Sequence, residues 1–109
     1  MSIRLEKPWI PLTADNVEQV AGHMGVYQLG SANGEVVFVG MAGGRSLFGL
    51  RGELQARLGS TSATQFRYEV NTAYLTRYRE LLMIHRADFG SLPAENSEED
   101  ARGLGRLSP

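Results

Sequence analysis

The side chains able to do chemistry in this 109-residue chain are few in kind. There is no cysteine, which removes disulfides, thiolate metal sites and a cysteine nucleophile, and leaves a reducing compartment unopposed. His23 and His85 are the two histidines and lie in unrelated segments, so a histidine-rich metal centre is not expected. No strand-to-helix nucleophile elbow surrounds a serine, which leaves a Ser-His-Asp triad without footing. The cluster GMAGGR at 40–45 resembles a phosphate loop but lacks its GK[ST] ending. What stands out is arginine: Lys7 is the single lysine among eleven basic residues. Arginine presents a planar fork that meets phosphate or carboxylate with two parallel bonds. Net charge is −2 over residues 1–44, +4 over 45–86 and −3 over the remainder, so the basic middle suits an anionic partner. The plainer reading places those arginines on solvated helix faces.

These side chains must be positioned by a single core, because the chain has no room for two. Pro8 and Pro11 oppose a helix, so residues 1–13 read as an extended arm. Thr13 or Asp15 caps a short helix over 14–21 with Val17, Val20 and Ala21 inward, and Gly22 ends it. Residues 25–29 (GVYQL) and 35–39 (EVVFV) read as two strands joined by an Asn33-Gly34 turn. Four glycines in 40–49 rule out regular helix there. Leu47, Leu50, Leu54 and Leu58 then recur at three and four, predicting a helix over 50–58 with Glu53 and Arg57 paired on its outside. Phe66 to Val70 alternates and predicts a third strand. Asn71 or Thr72 caps a long helix over 72–88 that stops at Gly90. The expectation is an α+β fold: a small three-stranded antiparallel sheet flanked by helices. Residues 1–96 form one domain with its N-terminal arm, and 97–109 a flexible tail.

Gly25-Val26-Tyr27 followed across a hairpin by Phe38-Val39-Gly40 resembles the paired motif of the GIY-YIG nuclease family. Downstream, Arg51 resembles the family's helix arginine. Glu80 with Met83 and Ile84 resembles its E-x-x-L-I segment, and Pro93 with Asn96 resembles its closing Pro-Asn element. The similarity spans about residues 22–96. Gly25, Phe38, Gly40 and Asn96 carry the structural motif.

The resemblance implies a divergent endonuclease that cuts DNA phosphodiesters with one Mg²⁺ or Mn²⁺ ion. By position, Tyr27 would activate or orient the water, Arg51 would contact the scissile phosphate, and Glu80 would hold the metal. Arg45, Arg51, Arg67 and Arg77 are the candidate nucleic-acid contacts. Two departures stand against this. Phe38 replaces the second motif tyrosine, and Met41 stands where many relatives have lysine. Arg45 could stand in for that lysine, and Tyr68 or Tyr78 for the missing hydroxyl. The alternative is a catalytically impaired GIY-YIG-like domain that binds nucleic acid or a protein partner. Each candidate also has a plain structural role: Tyr27 as a strand aromatic, Arg51 as helix decoration, Glu80 as the ion-pair partner of Arg77, Asn96 as a turn residue. No membrane is expected, because no stretch approaches the roughly 20 apolar residues that span one. The N-terminus does not read as a secretory signal, so the expected location is the cytoplasm.

Overall fold

The computed structural model describes residues 4–44 and 46–100. Its elements are β1 (Ile10–Pro11), α1 (Ala14–Glu18), β2 (Gly25–Gly30), β3 (Val36–Ala42), α2 (Gly49–Arg57), β4 (Gln65–Val70) and α3 (Tyr74–Phe89). The strands form one antiparallel sheet in the order β1-β4-β2-β3. The fold is α+β, with four strands where the sequence predicts three. The added strand is two residues of the extended arm, in which Ile10 pairs with Phe66 and Pro11 with Gln65. Proline is tolerated there because an edge strand need not donate on its outer side. Two residues carry too little alternation to be read from sequence.

The hairpin turns as its Asn-Gly signal predicts. Gly34 adopts φ 89°, and its amide donates to Ser31 O at 2.9 Å. β3 then runs on through Gly40 and Met41 to Ala42, so the first glycine of the glycine-rich stretch lies within a strand. Tyr27 of β2 sits opposite Gly40 on one side and Tyr68 on the other.

Alternation along β2 separates two cores. Tyr27 and Leu29 join Phe38, Phe66, Leu50, Leu54, Val17 and Val20 beneath α1 and α2. Val26 joins Val39, Leu5, Leu81 and Leu82 beneath α3. The two longer helices thus take opposite faces of the sheet.

The helix starts differ from expectation at two places. Thr13 caps α1 as predicted, accepting from the Asn16 amide at 3.1 Å. For α3, however, the cap position is Ala73, and neither Asn71 nor Thr72 caps it directly. Asn71 Oδ1 instead accepts from the Ala73 amide at 2.8 Å, turning the chain just before the helix. α2 begins at Gly49, after Leu47, so Leu47 falls off the buried stripe and is 78% exposed. Gly90, at φ 79°, ends α3 as expected. Of the expected tail, Ser97–Asp100 is described and anchored: Asp100 Oδ2 accepts from Asn96 Nδ2 and from the Ser97 amide. The residues from 101 onward, and Arg45, lie outside the described residues. Among the described residues, no helix is long and apolar enough to cross a membrane.

Candidate functional site

Tyr27 is the centre of the polar cluster beneath α2. A Cβ at Gly40 would lie 2.3 Å from Tyr27 Cζ, so the tyrosine ring lies across β3 only because residue 40 is glycine. That placement carries the hydroxyl to Glu53 and Arg57 of α2. Arg57 Nε donates to the Tyr27 hydroxyl at 3.2 Å, and the hydroxyl donates to Glu53 Oε1 at 3.4 Å. Ser46 Oγ donates to Glu53 Oε2 at 3.3 Å and accepts from the Gly43 amide at 3.1 Å. The Arg57 guanidinium lies 4.0 Å over the Phe38 ring, a cation–π contact that holds it in place.

The electrostatics follow from enclosure. Tyr27 is fully buried, and burial pushes its phenol up to about 12 against the pull of Arg57 beside it, while Glu53 adds to the rise. Tyr78 of α3 is also pushed up to about 12, chiefly by burial, then by the negative field of Asp100 and by Tyr27 itself. Both phenols therefore stay protonated at neutral pH. A buried, protonated hydroxyl already bonded to a cation and a carboxylate is a poor base for an incoming water.

The other sequence candidates lie apart from this cluster. Arg51 precedes Glu53 by two residues, about 200° around the helix, and so points elsewhere. Its guanidinium lies 3.6 Å from where a Cβ on Gly22 would be, and it makes no hydrogen bond or ion pair to another described residue. Glu80 is ion-paired with Arg77 Nη1, and Arg77 Nε also binds Glu69 Oε2 at 3.0 Å. Burial raises the Glu69 carboxyl, but the bonds from Asn71 and Arg77 outweigh it and hold the carboxyl below its ordinary value. Glu80 lines a hollow of about 350 Å³ with Thr76, Arg79, Met83 and Ile84. Glu80 is the sole carboxylate of that hollow, and a guanidinium already neutralises it. Among the described residues, no group of three metal-ligating side chains assembles there or elsewhere.

Arg67 lies on the α3 face of the sheet, opposite Tyr27, donating to Gln28 Oε1 at 2.8 Å with its guanidinium 4.1 Å over Trp9. Gly25 permits close approach of β2 and β4, since a Cβ there would meet Glu69 O at 2.1 Å. Phe38 is core. Asn96 Oδ1 accepts from the Val39 amide at 2.9 Å, and its Nδ2 donates to Val39 O at 3.0 Å, so it pairs with β3 as a strand residue would.

The structure therefore brings Tyr27 together with Ser46, Glu53 and Arg57, and does not bring Arg51 or Glu80 to it. The spacing predicts Glu53 and Arg57 as a pair on the outside of the helix; in the structure each bonds the Tyr27 hydroxyl instead. Their spacing to Leu50 and Leu54 marks a boundary position, where a polar side chain can turn either outward or over the edge of the core.

Residues 3–88 match the family model described as "Domain of unknown function (DUF7508)". The chain belongs to the DUF7508 family. No curated protein and no solved structure matches it. The DUF7508 span takes in all four strands, the three helices up to Asp88 and every member of the Tyr27 cluster, and it stops short of Asn96.

Proposed function

We propose that this chain is a GIY-YIG-like domain that binds nucleic acid without cutting it. The observation that carries this reading is the Tyr27 hydroxyl, enclosed and held by Arg57 and Glu53 rather than open to a water, a phosphate and a metal. Cleavage needs a base, a phosphate-binding cation and a metal-holding carboxylate around one phosphorus. Here the proposed cation, Arg51, and the proposed carboxylate, Glu80, belong to other neighbourhoods.

Binding is supported by what surrounds Arg51. Among the described residues its charge has no carboxylate partner. Three residues earlier, Phe48 projects a 65%-exposed ring from a backbone at φ 62°. An exposed aromatic beside an unpaired arginine offers a base-stacking surface next to a phosphate contact. The net charge of −1 keeps the expected affinity modest.

The test is anisotropy of fluorescein-labelled single-stranded, duplex and branched DNA, with gels run in Mg²⁺ and Mn²⁺. The expected result is salt-sensitive binding without cleavage. Arg51→Ala should weaken it about tenfold and reduce the salt slope by roughly one. Metal-dependent cleavage lost in Glu80→Ala would restore the nuclease reading. Absence of binding to every DNA would leave the exposed Leu47 and Phe48 to a protein partner.

A further inference from the structure

On the opposite side of the sheet, α3 covers Val26 and Val39 but leaves the hairpin end of β2 open. There a pocket of about 490 Å³ lies between the sheet, the C-terminal half of α3 and the N-terminal arm. That volume is in the range of small-molecule sites. Leu5, Val36, Leu81 and Ile84 supply apolar lining, and His85 and the Arg4–Asp88 pair at 2.8 Å lie on the lining as well.

The polar floor is the informative part. Gln28 is 6% exposed and lines the pocket, with its Oε1 taken by Arg67. Gln28 Nε2 has no hydrogen-bond partner among the described residues, yet it is not sealed from solvent. A side-chain donor with no protein acceptor, on the lining of a cavity, can give its hydrogen bond to an acceptor that enters. Beside it, the half-buried Arg67 spends Nε on Gln28 and Nη1 on the Lys7 carbonyl at 3.4 Å, and it pairs with no carboxylate among the described residues. Burial pulls the Arg67 guanidinium below its ordinary value, with Glu6 only partly opposing, as expected of a charge short of a counter-ion. Asp88, also on the lining, is bound through both oxygens by Arg4 and is not available to Arg67. Glu35 also lines the pocket, from the exposed hairpin end.

We propose that this pocket binds a small monocarboxylate with an apolar body, its head on Gln28 Nε2 and Arg67 and its tail against Leu81 and Ile84. Gln28 and Arg67 line the same pocket as Leu5, Val36, Leu81 and Ile84, a pairing of donors with hydrocarbon that suits an acceptor-only head on an apolar tail. The site is separate from the proposed nucleic-acid surface, since Arg51 and Phe48 sit at the start of α2, on the other face of the sheet.

Trp9 is the single tryptophan and stacks on Arg67, so its fluorescence reports on the head group's site. The experiment titrates octanoate into the full chain, with 1-octanol and acetate as controls, reading Trp9 emission and calorimetric heat. The expected result is saturable octanoate binding well below the concentrations at which either control acts. Gln28→Leu should weaken it several-fold and Arg67→Met about tenfold, the scale of a lost charged hydrogen bond. Val36→Phe, which fills the pocket and leaves the head-group residues intact, should abolish it even if Arg67→Met fails to fold. Equal response to octanol and octanoate, undiminished binding in Gln28→Leu or Val36→Phe, or a response that never saturates, would overturn the proposal.

Discussion

Arg57 Nε lies 3.2 Å from the Tyr27 hydroxyl and donates to it, joining the last turn of α2 to the middle of β2. Because the same guanidinium rests on Phe38, one side chain bridges a phenol and a ring on neighbouring strands. Removing it should cost about 1–2 kcal/mol, a hydrogen bond plus a partly desolvated cation–π contact. We expect Arg57→Met to lower the urea midpoint and to raise the Tyr27 titration further, since Arg57 opposes the rise. Urea unfolding checks the first, and ultraviolet difference titration of the phenols against Tyr27→Phe checks the second.

The elevated phenols also predict alkaline sensitivity. The folded chain holds the Tyr27 proton to about pH 12, whereas an unfolded tyrosine releases it near 10. Stability from this group is complete below pH 10 and is lost as pH climbs from 10 to 12. For Tyr27 the loss is on the order of 2–3 kcal/mol. Denaturant unfolding at pH 8, 10 and 11 should show the decline, and Tyr27→Phe should reduce it to the share that Tyr78 carries.

Gly40→Ala should be severely destabilising, by roughly 3 kcal/mol or more, because the new methyl would overlap the Tyr27 ring. A double-mutant cycle with Tyr27→Ala distinguishes this cause from a general intolerance of β3. Strong positive coupling is expected, and additive losses would refute the contact.

Asn96→Ala should remove two bonds to the Val39 backbone and cost about 2–3 kcal/mol. Amide exchange at Val39 should accelerate far more than at Val26, which is paired on both sides. Uniform acceleration would mean that the residue acts on global stability alone.

The hairpin, α2 and α3 were readable because each carries a local rule: Asn33-Gly34 at the turn, Leu50 and Leu54 at helical spacing, Gly90 at a stop. β1 was not, because its pairing is set by Phe66, more than fifty residues away. Tyr27 was found by motif, but its partners were not. The resemblance directs attention to Arg51 and Glu80, while the start of α2 at Gly49 and the packing of α3 through Leu81 and Leu82 decide which side chains face the phenol. Those rotations depend on tertiary contact and have no signature in spacing alone.

Asn96 and the neighbouring Glu95 amide, which donates to Val37 O at 2.8 Å, occupy the outer rim of β3 seven and eight residues beyond where the DUF7508 match ends. A chain cut after Asp88 would keep every strand and nearly all of α3, yet it would expose a row of free amides and carbonyls flanked by Val37 and Val39. Such a rim recruits strands from other molecules. The shortened protein should therefore self-associate more than the longer one at equal concentration, as light scattering would read. The loop after α3 thus covers the outer edge of β3, and any shortened chain that is to keep this cover must extend at least to Asn96.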